Sequence, residues 1–392
     1  MKKVALATCY FKNNYGSALQ AYATQKFLDL NNIPNETIDV SKNKDFASGK
    51  KKYYAAQLFN FSFVKTKIGM IKFKFYKKIN KNLGKNVAIR NKYFEEFKDV
   101  FRLSKPYATY DELNTYARGV SAVIVGSDQL WLPVNVVADY YTLNWCPEET
   151  SRISYSTSFG VSSIPSKYEK QYRHYLEKIG HLSVRELSGQ KIIKEVANKE
   201  STIVCDPTLL LTKEQWDDFS YDKAIIEGDY IFCYFLGKNV EHRKFVERLK
   251  RETQCKIISI NHCDEYVKYS DTFCDESPYD IGPKEWVNLI KNAKYVCTDS
   301  FHATVFSIIF NRTFFDFRRH SLKNKNSTNT RIDSILEMAG LPKERILNDP
   351  GADCKMLLSE TIDWNAVNKN IEIFRLRSSN WLLASISNKE QK

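Results

Sequence analysis

Short runs of consecutive apolar residues alternate along this chain with longer stretches in which apolar residues recur every three or four positions. KVALATC at 3–9 is the first run, β-rich and followed by a polar loop. From Ser17 onward Ala18, Leu19, Tyr22, Ala23, Phe27 and Leu30 repeat at helical spacing, and a second β-rich run covers 33–40 with Pro34 near its start. That β–loop–α–β order opens a doubly wound α/β domain. Strand signals return at 120–126, 152–158, 181–184 and 202–204, with helical stretches at 165–179 and 186–197 between them. A run such as Ala122–Val125, apolar throughout and closed by Gly126, has the pattern of a parallel strand buried on both faces. Pro207 and the polar stretch 212–228 mark a boundary. Beyond it the alternation restarts, with strands at 229–235, 256–260, 294–298 and 313–317 and helices at 240–252, 283–293, 302–310, 330–339 and 363–384.

The pattern predicts an α/β protein of two Rossmann-like doubly wound domains facing a cleft. Residues 1–220 form the first and 221–350 the second, while the helical segment 351–392 packs back on the first. Residues 42–105 interrupt the first domain as a helical insertion. A length of 392 residues suits two domains, and no internal repeat is visible at a period of about 20–50 residues.

Charge changes the picture in one place. The formal net charge is +13, yet residues 42–105 hold 18 Lys/Arg against four acids, and the rest of the chain is close to neutral. Phe59, Phe61, Phe63, Ile68, Met70, Ile71, Phe73, Phe75, Tyr76 and Ile79 are interleaved with those lysines. Apolar residues among lysines fit a peripheral helix on an anionic membrane surface, with the phenylalanines adding insertion if they stay exposed. They fit equally a solvated insertion whose apolar stripe packs on its own domain. Nucleic acid is not indicated, because the remainder shows no basic patch or RNA-binding signature.

The opening MKKVALATCYFKNN lacks a small-residue cleavage site after its apolar run, so it reads as a first strand of a cytoplasmic protein. Nine cysteines, several in apolar runs and none in a CxxC pair, agree with a reducing compartment. His262, Cys263, Asp264 and Cys274 match no zinc spacing, and no metal site is predicted.

Candidate chemistry collects just beyond strand ends, where open α/β sheets bind ligands. In KYVCTDSFHATVFSIIF at 294–310, Asp299, Ser300 and His302 stand where a helix begins. Unpaired N–H groups there seat phosphate or carboxylate, and His302 can move a proton near that anion. An ordinary capped turn explains the same letters. Asn14 and Gly16 follow the first strand without a GxGxxG fingerprint, Gly16 either beside a ligand or in a turn that needs positive φ. Asp128 follows the third strand as a candidate base, with Trp131 either a sugar platform or a core residue. Arg185 follows the strand at 181–184, its planar fork suited to carboxylate or phosphate or else to a structural ion pair. Asp206, in CDPT, is a second candidate base or a turn former. HExxH, GxSxG, P-loop and kinase patterns do not occur.

NNYGSALQAYATQKFL at 13–28, VIVGSDQLW at 123–131, LSVRELSGQKI at 182–192, VCDPTLLL at 204–211 and AKYVCTDSFHATVFSIIF at 293–310 together resemble the polysaccharide pyruvyl transferase family. The resemblance implies a GT-B-like fold. It also implies transfer of the enolpyruvyl group of phosphoenolpyruvate onto two hydroxyls of a sugar, forming a cyclic ketal and releasing phosphate. The implied acceptor is a hexose of a cell-surface or capsular polysaccharide precursor, often lipid-linked, which would place the enzyme at the inner face of the membrane. Phosphoenolpyruvate is a donor substrate, and no cofactor is implied. The family's His corresponds to His302, taken as the acid that protonates the methylene carbon, and its Arg to Arg185. Some members carry a second Arg two positions before that His. Ser300 stands there in this chain, leaving Arg318, Arg319 or Arg331 to supply the contact. A GT-B nucleotide-sugar glycosyltransferase and a non-enzymatic glycan-binding protein are the alternatives.

Overall fold

A computed structural model describes residues 2–58, 61–261, 267–319 and 330–387. The first half holds β1 (Val4–Ala7), β2 (Asn35–Thr37), β3 (Ala122–Val125), β4 (Ser151–Thr157), β5 (His181–Val184) and β6 (Thr202–Ile203), in the order β2-β1-β3-β4-β5-β6. The second holds β7 (Tyr230–Tyr234), β8 (Lys256–Ser259), β9 (Tyr295–Thr298), β10 (Thr313–Phe317) and β11 (Ile346–Leu347), in the order β11-β10-β9-β7-β8. Every pairing is parallel. The central strands β1, β3 and β7 are buried at every position, as their continuous apolar runs require. Both sheets reverse their winding once, between β1 and β3 and between β7 and β9. Crevices open at such points, beyond the strand carboxyl ends.

Periodicity located the long elements and missed the short ones. The helices Tyr110–Ala117, Pro133–Ala138, Lys213–Phe219 and Cys354–Ser359 have eight residues or fewer, too short for a 3.6-residue repeat to register. Lys213–Phe219 lies in the polar stretch read as a boundary, and Thr212 and Gln215 start it with a capping box.

A shared apolar cluster joins the halves, running from Val4, Tyr15 and Leu19 to Phe232, Trp286 and Phe306. Helix α1 (Tyr15–Leu30) carries Tyr15 across the junction, where its hydroxyl donates to Ile281 O at 2.8 Å and its ring stacks on Trp286 at 5.4 Å. The last long helix, Trp364–Ile386, lies against the first sheet: Ser378 Oγ accepts from Cys205 N at 2.8 Å, and Trp381 sits 6.3 Å from Tyr155 of β4.

The basic insertion forms three helices, α2 (Lys44–Ala56), α3 (Phe61–Ile79) and α4 (Lys81–Phe97). Helix α2 crosses Pro133–Ala138 so closely that a Cβ on Gly49 would lie 2.5 Å from Ala138 Cα. Helix α4 reaches the second half: Arg90 donates to Pro278 O at 2.8 Å and to Asn261 O, and Phe94 packs 4.8 Å from Tyr15. The phenylalanines divide. Phe73 is buried, Phe63 half-buried and Phe75 exposed, while Phe59 and the Phe61 side chain lie outside the described residues. His262, Cys263 and Asp264 also lie outside them, and among the described residues no group of three metal-ligating side chains occurs. The eight described cysteines are free thiols.

Candidate active site

The two switch points face each other, and the loops beyond them wall a cavity of about 690 Å³, within the usual range for a small-molecule site. The first half contributes Lys12, Asn14, Ser17 and Asp128, the second Ser300, His302, Arg319 and Arg331, and α4 supplies Glu95 at the rim.

Each side chain is held by local structure. Asn14 caps α1, its side chain accepting from Ser17 N at 3.1 Å. Gly16 lies in the first turn of that helix, not in a positive-φ turn as one reading of the sequence had it. Its requirement is space. A Cβ there would sit 2.0 Å from His302 Nδ1, so the glycine lets the imidazole of the opposite half rest against α1. Asp128 adopts φ 78°, a conformation that costs a non-glycine residue energy. Its carboxylate accepts from Ser17 Oγ at 2.6 Å and Gln129 N at 2.8 Å.

Behind this wall lies an ion cluster. Arg185 pairs with Asp206 at 2.8 Å and with Asp128 and Glu186 at 3.5 Å each, and its side chain is 1% exposed. Three carboxylates therefore occupy the guanidinium, which lies below the cavity wall rather than in it. Asp206, fully buried, also accepts from Ser127 Oγ and from Thr208 N and Oγ1, and caps the short helix that begins at Pro207. His302 Nε2 approaches Asp206 Oδ2 at 3.7 Å, an ion-pair distance too long for a hydrogen bond, and this buried nitrogen has no hydrogen-bond partner. The contact bridges the two halves.

Burial alone would raise the Asp128 and Asp206 carboxyls. The Arg185 guanidinium and then His302 draw Asp128 well below the usual carboxylate range, and His302 and then Arg185 do the same for Asp206. Both are ionised at neutral pH. On the cationic side, burial first and then the charges of Arg185 and Arg319 push Arg331 down to about 9. Crowded buried guanidiniums are relieved by an anion.

His302, Asp128, Asn14, Ser300, Arg331 and Arg319 thus meet in one wall, Gly16 makes room for one of them, and Arg185 and Asp206 stand behind. Ser300 begins the helix Phe301–Ile309 without a side-chain cap, so the helix's first N–H groups take no bond from it. Asp299 points its carboxylate at Leu236 N, from which it accepts at 2.7 Å, and at Gly237 N at 2.8 Å; the same carboxylate pairs with Arg319 at 3.7 Å, and Arg319 donates to Asp299 O at 2.8 Å. Two candidates are displaced altogether. Trp131 is fully buried and donates Nε1–H to Tyr141 O at 3.0 Å, a core residue and not a sugar platform. Arg318 is engaged by Asp333 and Asn348. Sequence reading missed Lys12, Ser17 and Glu95. Lys12 and Ser17 flank Asn14, where adjacency was a usable signal, whereas Glu95 arrives from a distant helix.

The chain matches the model of the polysaccharide pyruvyl transferase family over residues 14–320. No curated protein sequence matches it. Among solved structures it is similar to a putative UDP-N-acetylglucosamine 2-epimerase from Listeria monocytogenes at 10% identity, covering 100% of this chain and 99% of that one with TM-score 0.53. It is similar also to S. aureus MnaA in its co-structure with UDP, at 12% identity, 100% and 98% coverage and TM-score 0.51. At such identities the likeness is one of fold, the GT-B arrangement of two Rossmann-like domains. The family match is of another kind: it extends over most of the sequence and includes Asn14, Asp128, Ser300, His302 and Arg319 of the cavity wall, and the chain belongs to the polysaccharide pyruvyl transferase family.

Proposed function

We propose that the protein transfers the enolpyruvyl group of phosphoenolpyruvate onto two hydroxyls of a sugar in a polysaccharide precursor. The observation that carries the reading is the pairing, in one cavity, of a cationic wall (Arg319, Arg331, Lys12) with a buried imidazole backed by a carboxylate. Phosphoenolpyruvate brings a phosphate and a carboxylate, the anions that such a wall and an uncapped helix start attract.

In this reading His302 gives its proton to the methylene carbon, and C2 becomes oxocarbenium-like. The first sugar hydroxyl adds to C2 and loses its proton to Asp128, which lines the cavity. The C–O bond to phosphate then breaks, the second hydroxyl adds, and its proton leaves with the phosphate. One cyclic ketal and one inorganic phosphate result, and the proton held by Asp128 returns to His302 through solvent to close the cycle. Asp128 as it stands is a weak base, since the cations that keep it ionised also lower its proton affinity. The arriving donor anion offsets those cations and raises its basicity. Asp206, fully buried beneath Arg185, is a positioning residue for His302 and not a base for the acceptor.

The test is incubation with phosphoenolpyruvate and lipid-linked or free hexose acceptors, with mass spectrometry of the acceptor and assay of released phosphate. The expected result is an acceptor heavier by one pyruvate ketal, with one phosphate released per ketal. A parallel incubation with nucleotide sugars separates the glycosyltransferase alternative: transfer from a nucleotide sugar and none from phosphoenolpyruvate overturns the proposal.

A further inference from the structure

Helix α3 is amphipathic in the wrong direction for a helix that only packs on its own domain. Ile68, Ile71, Phe75 and Ile79 stand at i, i+3, i+7 and i+11, which places them on one face. That face points to solvent, with Ile71 61%, Phe75 66% and Ile79 74% exposed. Phe73, on the opposite face, is the buried anchor. Lys72, Lys74 and Lys78 are exposed beside the apolar stripe, and the helix contains six lysines and no acid. Helix α2, by contrast, buries Phe46, and α4 buries Val87, Phe94 and Phe97 against the rest of the molecule.

We infer that the outer face of α3 docks on an anionic lipid bilayer, its apolar stripe entering the interface while the flanking lysines meet the headgroups. Charge and pattern select this occupant. A second copy would bring its own Lys72, Lys74 and Lys78 against these three, and like charges at close range repel. A nucleic acid would pair with the lysines but leave the isoleucines and Phe75 uncovered. An anionic bilayer satisfies both, since apolar area and basic charge add in interfacial binding. Among the described residues no helix is long and apolar enough to cross a membrane, so the attachment is peripheral. Helix α4 follows α3 directly, and its Asn91 accepts from Asn13 Nδ2 at 2.9 Å while Glu95 lines the cavity. A bilayer held by α3 is thus mechanically joined to the rim of the site. The inference does not depend on which donor the cavity takes.

The test is co-sedimentation of the full chain with vesicles of phosphatidylcholine alone and of equal parts phosphatidylcholine and phosphatidylglycerol. Binding is expected to the second and not the first, and to weaken as salt shortens the screening length to ~8 Å and below. The double substitution Ile71→Glu/Phe75→Glu is expected to lower affinity at least about tenfold without altering thermal unfolding, because both side chains are exposed. Independently, Lys72→Gln/Lys74→Gln/Lys78→Gln should lower it by roughly a hundredfold, about fivefold per lysine. Equal sedimentation with both vesicle types, none with either, or unchanged binding by both variants overturns the proposal. So does a wild-type dimer that dissociates on Phe75→Glu without any vesicle binding.

Discussion

Beyond the strand ends of the first sheet the ionisable groups are mostly acidic: Asp128 after β3 stands in the wall beside Lys12, Glu186 after β5 and Asp206 after β6 lie behind it, and Arg185 pairs with all three acids. At the β7/β9 switch point and the segments beside it stand His302, Arg319 and Arg331, and the nearby acid, Asp299, is shared between backbone amides of the loop after β7 and Arg319, 3.7 Å away. Apart from the additional edge strand β6, the two sheets share one strand order, so architecture does not produce this difference. In the proposed reaction it divides the labour. The second half presents two anion-facing arginines and the imidazole, with Lys12 of the first half beside them. The first half supplies the carboxylates that orient the imidazole and can accept a proton, along with the Gly16 surface on which its ring rests.

The largest effect expected from breaking this division is at its one imidazole. His302→Ala should lower turnover by ~10²–10⁴ with little change in thermal unfolding, the usual size for losing a general acid. Gly16→Ala, which pushes on the same ring from the other half, should lower turnover in the same direction while leaving His302 in place. Turnover equal to wild type in both would remove the imidazole from the chemistry.

Arg185 should report on the first half's integrity rather than on donor binding. Arg185→Gln leaves Asp128, Glu186 and Asp206 buried without their cation and should cost ~3–5 kcal/mol in urea unfolding. The same cluster sets an acid response. The Asp128 and Asp206 carboxyls are held below their unfolded range, so their stabilising effect is complete above about pH 4 and is lost as pH falls below it. Stability should therefore drop as pH falls from about 4 to about 2, and by less in Asp206→Asn, as measured by the urea midpoint at each pH.

Arg319 tests the second half. Arg319→Gln should raise the KM for the donor by roughly 10–100-fold, the loss of one charged hydrogen bond, while the loss of its contacts to Asp299 costs no more than ~1–2 kcal/mol of stability. If Arg185→Gln instead raised that KM without destabilising the fold, the assignment of roles to the two halves would be reversed. The smallest effect is expected at Arg318, which faces Asp333. Arg318→Gln should change stability by under ~1 kcal/mol and leave the KM as it was.

Much of this was legible in the letters. A parallel strand buried on both faces has to be apolar at nearly every position, so β1, β3, β7 and β9 announce themselves, and the polar residue after each lies at a carboxyl end by definition. That is why Asn14, Asp128, Ser300 and His302 could be named in advance. Arg185 was named for the same reason and lies at its strand end, but the direction of its side chain depends on Asp128, Glu186 and Asp206, which come from three separate places in the chain. Trp131 follows the same logic, its indole N–H claimed by the carbonyl of Tyr141.

Local periodicity and strand-end position, then, are properties of neighbouring residues, and the sequence by itself determined the two-sheet frame, the loops that could bear chemistry and the basic character of residues 42–105. Packing between residues far apart decided the rest. Which arginine reaches the cavity depends on where carboxylates from other strands stand, because a buried guanidinium goes to the nearest compensating charge. Why residue 16 is glycine depends on a ring 286 positions away. Which face of α3 is bare depends on what the fold leaves for Phe73 to pack against. Helical spacing defines a stripe, and only the tertiary contacts settle whether that stripe is turned inward or left to meet something else.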